Sequence, residues 1–185
     1  MTRAHRGDEL AAGDWAVLAC VAERPAHGFA VATRLAPDGD LGRVVTVSRP
    51  LTYRAIERLL ARSLVEVVGE ERGRNGLTRT VYAATAAGRD ALGEWLGAPV
   101  TAPDDLAVDF VLKVVVLVRL GLDDTDLLAR QREVLTTELA MLDGGDEEND
   151  PVDLWHEEAA RAAVRFVDRL ARTPHPAHGV APDRP

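Results

Sequence analysis

The chain has 185 residues, 46% of them hydrophobic and 28% charged, which fits one large or two small globular domains. Its single cysteine, Cys20, excludes an internal disulfide and a multi-cysteine metal site. No apolar signal-peptide core follows Met1, and charged side chains interrupt the longest apolar stretch, residues 106–122. We therefore expect a cytoplasmic protein without a membrane span.

The net charge of −8 is unevenly distributed along the chain. Residues 1–98 carry a net charge of +1, and residues 99–185 carry a net charge of −9. Seven arginines and four glutamates give residues 49–79 a net charge of +3. Any surface that binds a polyanion is therefore expected in the first half of the chain.

Three short helices are predicted near the N-terminus. Apolar residues recur at helical spacing over residues 10–22, and a second short helix is predicted over residues 29–35, before a Pro-Asp-Gly-Asp turn. Residues 44–47 form either a small strand or an extended connection to the next helix. The third helix begins after Ser48, a candidate N-cap, and runs to about Arg62.

The third helix is predicted to be amphipathic. Its buried face is predicted to hold Leu51, Ala55, Ile56, Leu59 and Leu60. Its exposed face is predicted to carry Arg49, Thr52, Tyr53, Arg54 and Arg58.

A hairpin and a fourth helix follow. Residues 64–68 and 79–83 are predicted to be strands, and the intervening residues contain glycine and asparagine as a loop signal. Thr85 is the candidate N-cap of a helix over residues 85–96. Three helices and a basic hairpin in this order predict a winged helix-turn-helix with a two-stranded β wing.

A hinge rich in proline and small residues, at 97–103, leads into a helical second half. Helices are predicted over residues 104–120, 123–142 and 152–170, although the valines of the first leave a strand open. In the second, Leu128, Leu135 and Leu142 recur every seven residues, as in a coiled coil. We therefore predict a mainly α fold, with a winged helix-turn-helix domain at 1–98, a helical dimerisation domain at 99–172 and a flexible tail at 173–185.

Four segments of the first half form an ordered set of motifs. Residues 18–29 contain a Pro-x-His-Gly-aromatic turn, residues 51–59 a tyrosine followed by spaced apolar residues, residues 73–82 a basic hairpin, and residues 85–89 a Thr-x-x-Gly-Arg helix start. This set resembles the PadR family of bacterial transcriptional regulators. Three positions depart from the family pattern, which has a tyrosine, a proline and a glycine where this chain has Phe29, Arg54 and Ser63.

The resemblance implies a homodimeric repressor that binds double-stranded DNA and whose C-terminal domain wraps around the partner subunit. Some members of the family bind flat aromatic compounds at the dimer interface. Trp95 and Trp155 are therefore the candidate residues for a small aromatic effector, with core or interface packing as the alternative for both. No cofactor and no metal ion is expected.

Residues near the N-terminal end of a recognition helix reach base edges in the major groove. Arg49, Thr52, Tyr53 and Arg54 occupy that end of the third helix and are the predicted readout residues. Arg58 lies about one turn further on, where a phosphate contact and an intrahelical ion pair are both open.

The hairpin supplies the second predicted contact with DNA. Arg72, Arg74 and Asn75 lie in a Gly-containing loop suited to phosphate contacts or to the minor groove. Arg79 begins the return strand, from which it could reach the DNA backbone. His27 is predicted to fix the turn between the first two helices rather than to contact a ligand.

The sequence carries no catalytic signature. It lacks a Gly-rich phosphate loop, a His/Cys metal cluster and a nucleophile elbow, so no enzymatic activity is expected. The alternative to DNA binding is a winged helix that contacts only proteins, with the acidic C-terminal half as its partner surface. The seven arginines of residues 49–79 favour DNA.

Overall fold

The computed structural model of the chain describes residues 9–73, 76–101, 105–142 and 150–173. The chain divides into two compact units, Met1–Glu94 and Trp95–Pro185, and both contain buried apolar side chains. In the described part of the chain, no helix combines the length and the apolarity that crossing a bilayer requires. The same part of the chain holds no group of three or more His, Cys, Asp or Glu residues arranged to bind a metal ion.

The first unit is a winged helix. Its elements are α1 (Ala12–Glu23), β1 (Ala26–His27), α2 (Gly28–Arg34), α3 (Arg49–Ala61), β2 (Val65–Arg72), β3 (Thr78–Ala84) and most of α4 (Ala86–Gly97). The strands form an antiparallel sheet in the order β1-β3-β2. The predicted fold of three helices, a hairpin and a further helix is therefore confirmed, and residues 44–47 form neither a strand nor a helix.

The sheet has three strands instead of the two that the sequence predicts. Ala26 pairs with Tyr82 and His27 pairs with Val81, so that β1 extends the hairpin on its β3 side. A strand of two residues is too short to show a period of its own, which explains why the sequence does not reveal it. The hairpin strands are also longer than predicted, and a register shift between Val67 and Gly69 interrupts their pairing.

Local signals determine where the helices begin and end. The Thr85 hydroxyl accepts a hydrogen bond from the Gly88 N–H at 2.9 Å, which confirms the predicted cap of α4. Ser48 occupies the N-cap position of α3 with an extended backbone. Beyond the end of α3, Ser63 has a φ of 58°, in the left-handed region that favours glycine. Ser63, which stands where the family pattern has glycine, therefore has a strained backbone conformation.

The buried face of α3 differs from the predicted one. Leu51, predicted to be buried, is 50% exposed, whereas Thr52, predicted to be exposed, is 0% exposed. The Thr52 hydroxyl donates to the Ser48 carbonyl at 3.1 Å, so its hydrogen-bonding capacity is used within the helix. The prediction of Thr52 as a base-reading residue is corrected, because a side chain buried beneath the helix does not reach a base.

The second unit is helical. It contains the end of α4, a π-helical turn (Leu106–Phe110), α5 (Val111–Leu120), α6 (Thr125–Leu142) and α7 (Pro151–Arg172). The strand alternative for the valine-rich stretch is wrong. Leu128 and Leu135 are 5% and 1% exposed, so the predicted leucine seam is covered within the unit as far as its side chains are described. The Leu142 side chain and the tail beyond Thr173 lie outside the described residues.

Two buried polar side chains organise the start of the second unit. The Gln131 amide forms hydrogen bonds with both backbone groups of Val100. It accepts from the Val100 N–H at 2.7 Å and donates to the Val100 carbonyl at 2.8 Å. The Lys113 ammonium donates to the Ala98 carbonyl at 2.6 Å and lies 4.9 Å from the centre of the Trp95 ring. Burial lowers the pKa of Lys113, and the negative charge of Asp109 opposes this shift.

Candidate nucleic-acid interface

The N-terminal end of α3 presents an accessible cationic face. Arg49, Tyr53 and Arg54 are exposed there, so three of the four predicted readout residues reach solvent. Arg49 and Tyr53 are four positions apart and therefore project from the same side of the helix. Among the described residues, no carboxylate pairs with Arg49 or Arg54, and both charges are available to a polyanion.

Tyr53 is held in place by the start of α2. A Cβ atom built on Gly28 would lie 2.6 Å from Cε1 of Tyr53, so the aromatic ring rests directly on the Gly28 backbone. The φ of Gly28 is not positive, so its backbone conformation does not require glycine. Its role is the close approach of the ring, which a side chain at this position would prevent. The exposed fraction of Tyr53 remains 41%.

Phe29 joins the helix to the wing. The Arg49 guanidinium carbon lies 4.5 Å from the centre of the Phe29 ring, and that of Arg79 lies 5.1 Å from the same centre. Arg49 is the first residue of α3 and Arg79 belongs to β3, so one ring orients cations from two elements. Sequence reasoning did not include Phe29 in the site. An aromatic residue directly after the His-Gly turn was the available signal.

His27 connects this cluster to the sheet. Its Nδ1 accepts a hydrogen bond from the Ala30 N–H at 3.0 Å, which caps α2 and confirms the predicted structural role. Its Nε2 lies 3.3 Å from Nη1 of Arg79 and 3.9 Å from the Glu71 carboxylate. Because Nδ1 accepts, the proton of neutral His27 is on Nε2 and points toward these neighbours. Arg79 is also a donor, so its 3.3 Å approach to Nε2 is a close contact and not a hydrogen bond, and the Nε2–H lies on the side of the Glu71 carboxylate.

Arg58 has a partner in another helix. Its guanidinium forms an ion pair with Asp14 of α1, whose side chain is 5% exposed, instead of the intrahelical pair that the sequence left open. The same carboxylate accepts from the Ala11 N–H at 3.1 Å at the start of α1. Arg58 therefore links α3 to α1 and compensates a buried charge.

The wing contributes further cations. Arg72 is exposed at the end of β2, and Arg79 is half-buried in β3. The predicted contacts Arg74 and Asn75 lie outside the described residues. A cavity of about 310 Å³ opens between the wing and the helices. Its lining includes the side chains of Tyr53, Thr78, Arg79, Thr80 and Tyr82.

The two effector candidates lie in different surroundings within the second unit. The Trp95 ring is occupied on one side by the Lys113 ammonium. Trp155 is 69% exposed and lines an apolar groove of about 550 Å³. Phe110 and Phe166, which contact edge to face at 6.3 Å, line the same groove. Trp95 is not among the described residues that line it.

The sequence matches no model of a known protein family, and no curated protein matches it. Among solved structures, the chain is similar to the crystal structure of Bacillus subtilis PadR in complex with operator DNA. The two share 16% sequence identity with a TM-score of 0.45, over 85% of this chain and 97% of that chain.

Proposed function

We propose that this chain is a sequence-specific DNA-binding transcriptional regulator that acts in the cytoplasm. The observation that carries the proposal is the meeting of Arg49 from α3 and Arg79 from the wing on the Phe29 ring. A recognition helix and a wing can contact the same duplex when their cations face the same side of the domain. Phe29 makes these two elements parts of one surface.

Within this surface the helix and the wing have different tasks. Arg54 is exposed on α3 and is the candidate for bidentate contact with a guanine edge in the major groove. Arg49 and Arg79 both contact the Phe29 ring, and Arg72 extends the cationic surface along β2. These three arginines are assigned to the sugar-phosphate backbone. Arg74 and Asn75 remain proposed contacts at the wing tip.

We also propose that the protein is a homodimeric repressor assembled through its C-terminal helices. The large exposed apolar side chains of α7, Val152, Leu154, Trp155 and Phe166, are 42–69% exposed in the single chain. Helices of soluble proteins cover such a face, and a second copy of the chain provides a matching one. The groove that contains Trp155 is then the proposed site for a small aromatic effector, whereas Trp95 is assigned to packing with Lys113.

The DNA-binding proposal is tested by selecting sequences from a random duplex library. The bound sequences are expected to share two half-sites related by two-fold symmetry, about 34–36 Å apart. On such a duplex, Arg54→Ala is expected to cost about 1–3 kcal/mol of binding free energy and to reduce the preference over an unrelated duplex.

Arg89→Ala is the matched control because it also removes one positive charge from the first unit. Arg89 follows Gly88, which packs on Leu64 beyond the C-terminal end of α3. The 13 residues of α3 span about 20 Å, so Arg89 is distant from the proposed interface. If the selection enriches no motif and the affinity for DNA depends only weakly on salt, the results favour a winged helix that contacts only proteins.

The dimer proposal is tested by light scattering at micromolar concentration. The wild-type protein is expected at about 40 kDa, twice the 20.0 kDa of one chain. Trp155→Ser is expected to shift the mass toward one chain without changing the helical circular dichroism. Met141→Ser is the control, since Met141 is an equally exposed apolar side chain, at 75%, that belongs to α6 and not to α7. A wild-type mass of one chain would contradict the proposal.

A further inference from the structure

Two arginines at the junction of helix and wing share one aromatic platform. The guanidinium carbons of Arg49 and Arg79 lie 4.5 and 5.1 Å from the centre of the Phe29 ring. The two charges are therefore within about 10 Å of each other, roughly one Debye length at 0.1 M salt. Two cations at this distance repel each other, and an anion between them removes the repulsion.

No protein carboxylate takes that place in the described part of the chain. Neither arginine forms a salt bridge there, and the nearest carboxylate of the network, Glu71, lies 3.9 Å from His27. Glu71 stands opposite Arg79 in the β2–β3 register, so its backbone position is fixed by the sheet. Neither guanidinium is therefore neutralised by an ion pair within the described residues, although Glu71 lies on the neighbouring strand.

The stacking geometry leaves the donors of both groups accessible. A guanidinium that lies over a ring uses its flat face, while its N–H groups point outward in the plane. One Arg79 nitrogen approaches His27, and among the described residues no hydrogen-bond acceptor engages the other N–H groups of Arg49 or Arg79. Planar forks of this kind match the paired oxygens of a phosphate group.

We propose that Arg49 and Arg79, oriented by Phe29, form a clamp that binds a single phosphodiester group of the DNA backbone. This inference rests on the proposed DNA binding and deepens it. Because one clamp residue belongs to α3 and the other to the wing, the bound phosphate fixes the register of both elements on the duplex. Phe29 is then a positioning residue, which acts through the two arginines.

A methylphosphonate scan of the selected duplex tests the clamp, because each substitution removes the charge of one phosphate. The wild-type protein is expected to lose about tenfold or more in affinity at one phosphate of each half-site. Phe29→Leu keeps both arginines and an apolar side chain but removes the ring face. This variant is expected to bind the unmodified duplex about tenfold more weakly than the wild type. Its affinity is expected to fall no further when the methylphosphonate replaces that phosphate.

Phe29→Tyr keeps the ring and is expected to behave like the wild type. Arg79→Lys keeps the charge without the planar fork and is expected to resemble Phe29→Leu, which gives a second measurement if that variant does not fold. If Phe29→Leu and Arg79→Lys lose the same factor as the wild type at every phosphate, the clamp does not exist. If neither the wild-type protein nor any variant binds a duplex, the proposed DNA-binding function is wrong.

The salt dependence of binding distinguishes one shared phosphate from two separate ones. Each phosphate contact contributes about 0.9 to the slope of log K against log salt on B-DNA. If both arginines share one phosphate, the Arg49→Ala/Arg79→Ala double variant is expected to lose about 0.9 of slope in total, and each single variant no more than that. A loss twice as large in the double variant would assign a separate phosphate to each arginine and overturn the shared clamp.

Discussion

Gly88→Ala is expected to lower the free energy of unfolding by about 3 kcal/mol, because a Cβ atom at this position has no space. Built on the Gly88 backbone, it would overlap the carbonyl oxygen of Leu64, and the Leu64 Cα lies only 3.3 Å away. These are backbone atoms between α3 and β2, and the same carbonyl accepts a hydrogen bond from the Thr85 N–H. The start of α4 would have to move away from the sheet. Thermal or urea unfolding of the first unit measures the loss.

Gly93→Ala on the same helix is the matched control. Gly93 is exposed, and nothing lies within 4 Å of a Cβ built there. Alanine is the better helix former, so this variant is expected to be about 0.4–1 kcal/mol more stable than the wild type. Equal effects of the two substitutions would mean that α4 does not pack on Leu64.

Arg58→Ala is expected to destabilise the first unit by about 2 kcal/mol, because it leaves the Asp14 carboxylate buried without its charge partner. Breaking a fully buried pair costs more, and the 49% exposure of the Arg58 side chain reduces the effect. Arg54→Ala, one turn earlier on the exposed face, is expected to change the stability by no more than about 0.5 kcal/mol. Chemical unfolding of both variants separates the two roles.

A double variant identifies the cause of the expected loss. Asp14→Asn removes the buried charge but keeps an oxygen that can accept from the Ala11 N–H. Combined with Arg58→Ala, it is expected to restore most of the stability, which a double-mutant cycle measures as coupling between the two positions. A stable Arg58→Ala protein with weakened DNA binding would instead return Arg58 to the interface.

The sequence by itself determined the order of the elements and several of their ends. Thr85 caps α4 through its own hydroxyl, and Ser63 ends α3 in the left-handed conformation. The His27 imidazole caps α2 three residues from its hydrogen-bond donor, Ala30. The hydrogen bonds of Thr85 and His27 each span three residues, so local sequence can indicate them, whereas serine at position 63 does not itself favour the left-handed backbone.

The orientation of α3 was decided by tertiary packing. A helix with apolar or small residues on adjacent sides can bury either side. Periodicity alone therefore places the edge of the buried face only to within one residue. Packing against α1 and α2 buries Thr52 and exposes Leu51. Thr52 tolerates burial because its hydroxyl bonds to the Ser48 carbonyl of its own helix. The predicted readout set changes accordingly, while Arg49, Tyr53 and Arg54 remain exposed.

The connections of the candidate site belong to the tertiary structure alone. Arg58 meets Asp14 across 44 positions of the chain, and Arg79 meets His27 across 52. Neither separation corresponds to a helical or strand period, so no sequence pattern encodes these pairs. Arg49 and Arg79 likewise reach the Phe29 ring from different elements, and no sequence pattern encodes their meeting. The sequence determined that this region is cationic, whereas the packing of α2 against α3 and β3 decided which cations meet, because side chains converge only after distant segments are brought together.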